Sequence, residues 1–202
     1  MVFDVLILGG GAAGLSCALI LGSAKEKSYA QNKLVGILLH QKASHLQSAI
    51  INNALGIPAG TSGTTLLKEG PLQLSQLYPQ VQQITGEKVK EIASAEDIFH
   101  ITTNKNSYTA RKVVVAVGYT DLLNIRGLEP YIIPHKKSPE AKNRIQLRNE
   151  DHLVTKDLYV AGSLAGHRSQ YAIACGSGAS VATDILTSWN EGVHSVVHDK
   201  LE

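Results

Sequence analysis

Val5-Leu6-Ile7-Leu8-Gly9-Gly10-Gly11-Ala12-Ala13-Gly14 decides how the rest of this 202-residue chain is read. An uncharged apolar run ends in G-x-G-x-x-G, and small residues follow it. Residues 3–8 suit a buried parallel strand, 12–24 a helix, and the apolar run 34–39 a second buried strand, which together make a β-α-β unit. In that setting each glycine has a task. Gly9 permits the tight turn, Gly11 lets a pyrophosphate approach the backbone, and Gly14 lets helix and strand close on each other. The helix start, Ala12 and Ala13, adds free N–H groups and a partial positive charge for phosphate oxygens. The expected fold class is therefore α/β with a parallel central sheet.

Outward from that unit, the end of the second strand departs from the fingerprint. An acid that would hold ribose hydroxyls is expected there, and the chain instead reads His40-Gln41-Lys42. His40 or Gln41 can hydrogen-bond a ribose and Lys42 can offset phosphate charge; ordinary exposed residues at a strand end are the alternative. A second helix is expected over 61–77, broken or bent near Gly70-Pro71. Short strands follow over 87–93, 98–103 and 108–117, with turns at Glu96-Asp97 and Asn104-Lys105-Asn106, which reads as a small antiparallel meander. Residues 119–149 are polar, contain Pro130, Pro134 and Pro139, and read as a linker. A core strand over 158–161 and a long helix over about 169–189 complete the fold.

The C-terminal part supplies further motifs. Asp157-Leu158-Tyr159-Val160-Ala161-Gly162-Ser163 precedes Gln170-Tyr171-Ala172-Ile173-Ala174-Cys175-Gly176-Ser177-Gly178, and Val115-Ala116-Val117-Gly118 and Asn53-Ala54-Leu55-Gly56 lie upstream. With these four stretches in the family's chain order, the sequence resembles the thioredoxin-reductase-like FAD flavoproteins of the pyridine-nucleotide disulfide oxidoreductase group. The resemblance implies a three-layer FAD/NAD(P)-binding Rossmann-like domain carrying non-covalent FAD. It further implies that Gly9, Gly11, Ala12, Ala13 and Gly14 lie on the FAD pyrophosphate, His40, Gln41 and Lys42 at the adenosine ribose, and backbone near Val89 at the adenine. Asn53 would lie near the flavin, with Ala116, Val117 and Gly118 beside the cofactor. Gly162 and Ser163 would stand at the ribityl chain or pyrophosphate, where Ser163 replaces the family's acid. Arg168, Gln170 and Tyr171 would stand near the flavin, whose pyrimidine edge would meet the start of the last helix; that helix start favours negative charge there. Gly176 and Gly178 suggest close packing of the same helix, against the first β-α turn.

In place of the family's NADPH domain with its C-x-x-C, only residues 119–148 separate the Val115-Gly118 and Gly162 motifs, too few for a nucleotide-binding domain. The expectation is one FAD-binding domain over 1–200: a first part over 1–118, a connecting segment over 119–149, and a C-terminal part over 150–200. Its activity would be that of an FAD-dependent oxidoreductase without a dithiol relay. It would exchange electrons directly with NAD(P)H as a transient donor, a small molecule or a protein redox partner. The alternative is a non-catalytic flavin- or nucleotide-binding module that acts through a partner protein. No side chain stands out as catalytic, and a homodimer would suit an exposed flavin face.

Composition bounds the remaining classes. A net charge of +2 and 5% aromatics argue against nucleic-acid binding. Residues 5–24 carry no charge and are long enough to span a bilayer, yet they lack a basic start and contain three adjacent glycines; a soluble, cytoplasmic protein is expected, with no membrane and no metal. Leu201-Glu202 reads as a cloning scar. Tyr108 and Lys112 match Y-x-x-x-K, but they lead into a β-branched strand rather than a helix face. Cys17 and Cys175 read as small buried packers, with redox activity the alternative. His194 and His198, four apart, read as a solvated tail rather than a helical metal pair. His167 and Arg168 either bind an anionic substrate or stand exposed.

Overall fold

The apolar run before the first glycine motif is read correctly as a strand because both of its faces are covered. In the computed structural model, which describes residues 1–42, 44–118 and 123–198, this run is β1 (Val2–Leu8). Val5 and Ile7 point into one core, while Phe3, Leu6 and Leu8 point into a second core on the opposite face. A strand buried on both sides has no polar face to alternate with, hence the unbroken hydrophobicity of residues 5–8. The turn after it enters α1 (Ala12–Ser23), whose small residues Ala13, Gly14, Cys17 and Ala18 are buried, and the chain returns as β2 (Val35–Leu39).

Two short strands, β3 (Ile50–Ile51) and β4 (Thr61–Ser62), form a separate antiparallel pair before α2 (Gly63–Leu77) and β5 (Gln82–Thr85). Then come β6 (Val89–Ala95), β7 (Ile98–Thr103) and β8 (Ser107–Val115), followed by β9 (Ile132–Pro134), β10 (Ile145–Leu147), β11 (Leu153–Thr155), β12 (Leu158–Val160) and α3 (Tyr171–Trp189). The main sheet runs β11-β12-β8-β1-β2-β5, and all its pairings are parallel except β11 with β12. β8 is shared: it pairs in parallel with β1 and antiparallel with β7, which in turn pairs with β6. This is the expected meander, with its last strand built into the parallel sheet. One face of the sheet carries α1 and α3, and the other carries the meander together with residues from 125–165. The chain leaves β1 through α1 toward β2, while β8 enters on the other side of β1. The strand order therefore reverses at β1, and in sheets of this kind ligands bind beyond the carboxyl ends at that point.

Two local expectations are corrected. α2 is one unbroken helix with Pro71 inside it. Pro71 has no N–H for the Leu67 carbonyl one turn earlier, and the Gln41 side chain makes up for it, donating from Nε2 to Leu67 O at 2.8 Å. The connecting segment is ordered rather than a bare linker over its described part: β9 pairs with β10, and Leu128 and Leu147 are fully buried in the second core. The polar residues among its prolines concealed a few well-spaced anchors. The reading of His194 and His198 as a tail agrees with the structure: both lie beyond α3, outside any helix, and are exposed. The residues read as a scar lie outside the described ones.

Candidate functional site

The carboxyl ends of the parallel strands open onto a cavity of about 380 Å3. Each strand that reaches it contributes the first residues of its following loop: Gly11–Ala13 after β1, His40 after β2, Ala116–Gly118 after β8, and Ala161–Ser163 after β12. Backbone bonds tie these ends together. Gly9 N–H donates to Leu38 O, Ala116 N–H to Leu8 O, and Ala161 N–H to Val115 O, at 2.8–3.0 Å.

The glycines divide by what a side chain would meet. Gly9 has φ +119°, and a Cβ there would run into the Ala116 carbonyl; a Cβ on Gly14 would fall on the Gly9 carbonyl oxygen. Both are required by the protein's own packing. Gly11 is different: its backbone is extended, with φ −83° and ψ −173°, and the nearest atom to a Cβ would be Ser44 Oγ at 3.8 Å. That space is empty of protein and faces the cavity. Gly178 carries α3 against α1, since a Cβ there would strike the Ala13 carbonyl, as expected for a close approach to the first turn. Gly176 does not share that role, because it is exposed and has nothing within 4 Å of a Cβ.

Two helices begin at this cavity, and neither start is capped. α1 has Gly11 and α3 has Gln170 at the N-cap, with no side-chain cap bond and no acid in the first turn of either. By contrast α2, whose start lies elsewhere, is capped by Ser62, which accepts the Thr65 N–H. Among the described residues no carboxylate lines the cavity. Its ionisable lining is His40, His45, Arg168 and Tyr171. Burial, then the charges of Lys88 and Lys42, hold His40 below its usual value, and burial with Arg144 does the same for His45. Burial and then Cys175, one helical turn on, push the Tyr171 phenol up to about 12, so it stays protonated. The arrangement suits a ligand with negative charge near each helix start and an apolar body between them.

The sequence placed most of this lining. Gly11, Ala12, Ala13, His40, Asn53, Ala116, Val117, Gly118, Gly162, Ser163, Arg168, Gln170 and Tyr171 all border the one cavity. Gly9 and Gly14 lie just behind it. Gln41 does not border it; its Nε2 donates to Gly10 O at 2.9 Å as well as to Leu67 O, so it braces the glycine turn against α2. Lys42 is exposed off the cavity, and Val89 is buried in the second core rather than lining it. Unforeseen was the wall made by Ser44, Leu46, Ala49, Ile50 and Ile51, whose only sequence signal was the isoleucine pair just before Asn52-Asn53. Tyr108 and Lys112 are taken up elsewhere: the phenol donates to Glu87 and the ammonium pairs with Asp157. Cys17 and Cys175 are free thiols; Cys17 is fully buried, and that burial raises its pKa. Among the described residues no helix is long and apolar enough to cross a membrane, and none of the acid, histidine and cysteine groupings could hold a metal ion.

Comparison with known proteins agrees with this geometry. Residues 3–178 match the pyridine nucleotide-disulphide oxidoreductase family. The chain is 29% identical to a thioredoxin reductase of Treponema pallidum over 116 residues, 57% of this chain and 35% of that protein. It is 26% identical to a ferredoxin–NADP reductase of Pediococcus pentosaceus over 161 residues, 80% of this chain and 47% of the other. It thus spans about a third to a half of the curated relatives it matches. Among solved structures, a thioredoxin reductase from Gloeobacter violaceus superposes with a TM-score of 0.68 at 15% identity, covering 99% of this chain and 98% of that one. An oxidoreductase from Agrobacterium tumefaciens gives 0.71 at 15% identity, covering 93% and 98%. At such identity the superpositions establish the fold.

Proposed function

The chain belongs to the pyridine nucleotide-disulphide oxidoreductase family, and from that premise we propose that it binds FAD non-covalently in the cavity and works as a flavin-dependent oxidoreductase without a dithiol of its own. NAD(P)H, a small molecule or a protein redox partner would exchange electrons with it directly. One observation carries the reading: two uncapped helix starts converge on a cavity whose described lining holds no carboxylate.

The residues present fit the cofactor. The vacant space over Gly11 admits a pyrophosphate against the N–H groups of Ala12 and Ala13. His40, kept neutral at pH 7, has one donor and one acceptor for ribose hydroxyls where an acid is usual. Gly118 and Ser163 border the same cavity, and the α3 start at Gln170 and Tyr171 favours negative charge where it meets it. Bound FAD would supply the redox chemistry, and the protein would supply orientation and electrostatics. Ala116, Val117 and Ala161 would keep water from its apolar body.

A second reading, a module that presents its flavin to a partner protein, is favoured by the apolar rim. Ile50 borders the cavity yet is 69% exposed, and Leu55 near it in sequence is fully exposed. The test is the visible spectrum of the purified protein, followed by anaerobic NADH and NADPH. Yellow protein bleached by either nucleotide supports the reductase. Yellow protein that stays oxidised supports the partner-fed module, and protein that cannot be loaded with FAD overturns both.

A further inference from the structure

The short connecting segment reaches the cavity wall through histidines. His135, just after β9, is buried. Its Nδ1 accepts the Lys137 N–H at 3.2 Å, which makes Nε2 the protonated nitrogen facing Ser163 O at 3.1 Å. Further on, Asn149 donates from Nδ2 to Ala165 O at 3.2 Å and accepts the His152 N–H at 3.2 Å. The His152 ring completes a chain of bonds. Its Nε2 lies 3.0 Å from Ser177 Oγ and 2.9 Å from Nε2 of His167, while Ser177 Oγ accepts the Gly162 N–H at 2.8 Å. The loop over 162–167, whose first two residues border the cavity, is thus held from behind at Gly162, Ser163, Ala165 and His167.

Two Nε2 atoms at 2.9 Å have room for one proton between them. A first imidazolium leaves that N–H···N bond intact, because the added proton can go to an outward nitrogen. A second cannot, because both Nε2 atoms would then carry a proton and neither would offer the other a lone pair.

We propose that His152 and His167 are a positioning pair for the Gly162–Ser163 loop, which keeps its cavity-lining form only while the pair carries at most one imidazolium. The ligand half of this inference rests on the FAD reading; the loop half does not. The surroundings oppose the second charge. Burial is the main cause that lowers both rings; His152, Lys137 and His135 add to it for His167, with Arg168 next to it in the chain. Asp151 favours charge on His152 without overcoming burial. On α3, Asp184 is itself raised by burial and by Asp151. The docked loop therefore binds fewer protons than a released one, whose imidazoles titrate near 6.5. Docking is complete above about pH 6.5 and weakens below it, by up to about tenfold per pH unit for each extra proton that the released loop takes up.

The experiment is a pH titration from about 8 to 5 followed by NMR of the histidine rings and the Gly162 and Ser163 amides, without added cofactor, with FAD affinity measured over the same range. His167→Asn is the variant; His152 has φ +72°, and a change there would confound backbone with ring. Expected are ring midpoints below 6.5, a Gly162 amide shift with the same midpoint, and a roughly tenfold loss of FAD affinity from pH 7.5 to 5.5 that shrinks below about threefold in His167→Asn. Rings that titrate at or above 6.5, a Gly162 amide that ignores them, or a variant with the wild-type slope would overturn the pair. If the variant does not fold, the wild-type ring and amide titrations decide. If no FAD binds at any pH, the functional reading fails, while those same titrations still decide the loop.

Discussion

Gly11→Val separates a glycine kept for a ligand from a glycine kept for the fold. Its backbone is extended, which suits a β-branched residue, and the first atom a Cβ meets is 3.8 Å away. The free protein should hold its stability to within about 0.5 kcal/mol, or gain slightly from a stiffer unfolded chain. The bound state should suffer, because the valine methyl groups occupy the space in front of the Ala12 and Ala13 N–H groups. Losing two charge-assisted hydrogen bonds of about 1.5–3 kcal/mol each amounts to about 3–6 kcal/mol, a drop of more than 100-fold in affinity. Thermal melting of the free protein and fluorescence titration with FAD read the two effects separately. Gly14→Ala is the contrast: its methyl falls on the Gly9 carbonyl, so melting itself should drop, by about 1–3 kcal/mol. Wild-type flavin affinity in Gly11→Val would show that no phosphate lies at this helix start. Equal destabilisation of the free protein by the two variants would show that Gly11 is structural as well.

Gln41→Ala should cost about 1–3 kcal/mol in chemical denaturation, because the Leu67 carbonyl loses the donor that stands in for the Pro71 N–H. In a Pro71→Ala background the backbone N–H returns and the cost should shrink; equal costs in both backgrounds would refute the link. Gly178→Ala should destabilise by about 1–3 kcal/mol through its collision with Ala13, whereas Gly176→Ala, in open space, should stabilise by roughly 0.5–1 kcal/mol; equal shifts in melting temperature would contradict the packing of α3 on α1. Burial works against charge on Glu87, but hydrogen bonds from Thr103, Tyr108 and Asn106, with Lys105 nearby, prevail and hold its carboxyl below the usual range. Its stabilisation is therefore complete above the unfolded value of about 4.3 and is lost as pH falls through the lowered folded value. Glu87→Gln should flatten the acid limb of the melting profile, and an unchanged limb would refute this.

How much of this was legible in the sequence depended on how far a signal reached along the chain. The glycine turn, the doubly buried strands and the last helix carry their causes within a few neighbouring residues, and they were read almost to their ends. Gln41 was misplaced because its partners, Gly10 and Leu67, lie 31 and 26 residues away along the chain. Gly70-Pro71 did announce a defect in α2, and His40-Gln41-Lys42 announced an unusual strand end, but only the fold shows that the second repairs the first. The connecting segment misled in the same way. Its prolines and charges describe its surface, while Leu128, Leu147 and His135 bind it to the sheet and to the cavity loop. The wall over 44–51 gave little signal because a short 3-10 turn and a two-residue strand have no periodicity to read.

The uncapped helix starts bear on function because the same chain shows that it can do otherwise. At α2 it places Ser62, whose hydroxyl takes the Thr65 N–H. At α3 it places Gln170, which makes no such bond, leaving about 1 kcal/mol of capping energy unrealised; at α1 glycine forgoes only a few tenths. Left bare, the N–H groups of both helices face one cavity in which no described residue offers a carboxylate to satisfy them. A serine or aspartate at either N-cap would stabilise the free protein, and it would do so by filling the position that an anionic ligand needs. The two small sacrifices of stability border the same space, where one extended ligand with negative charge near each helix start would offset both.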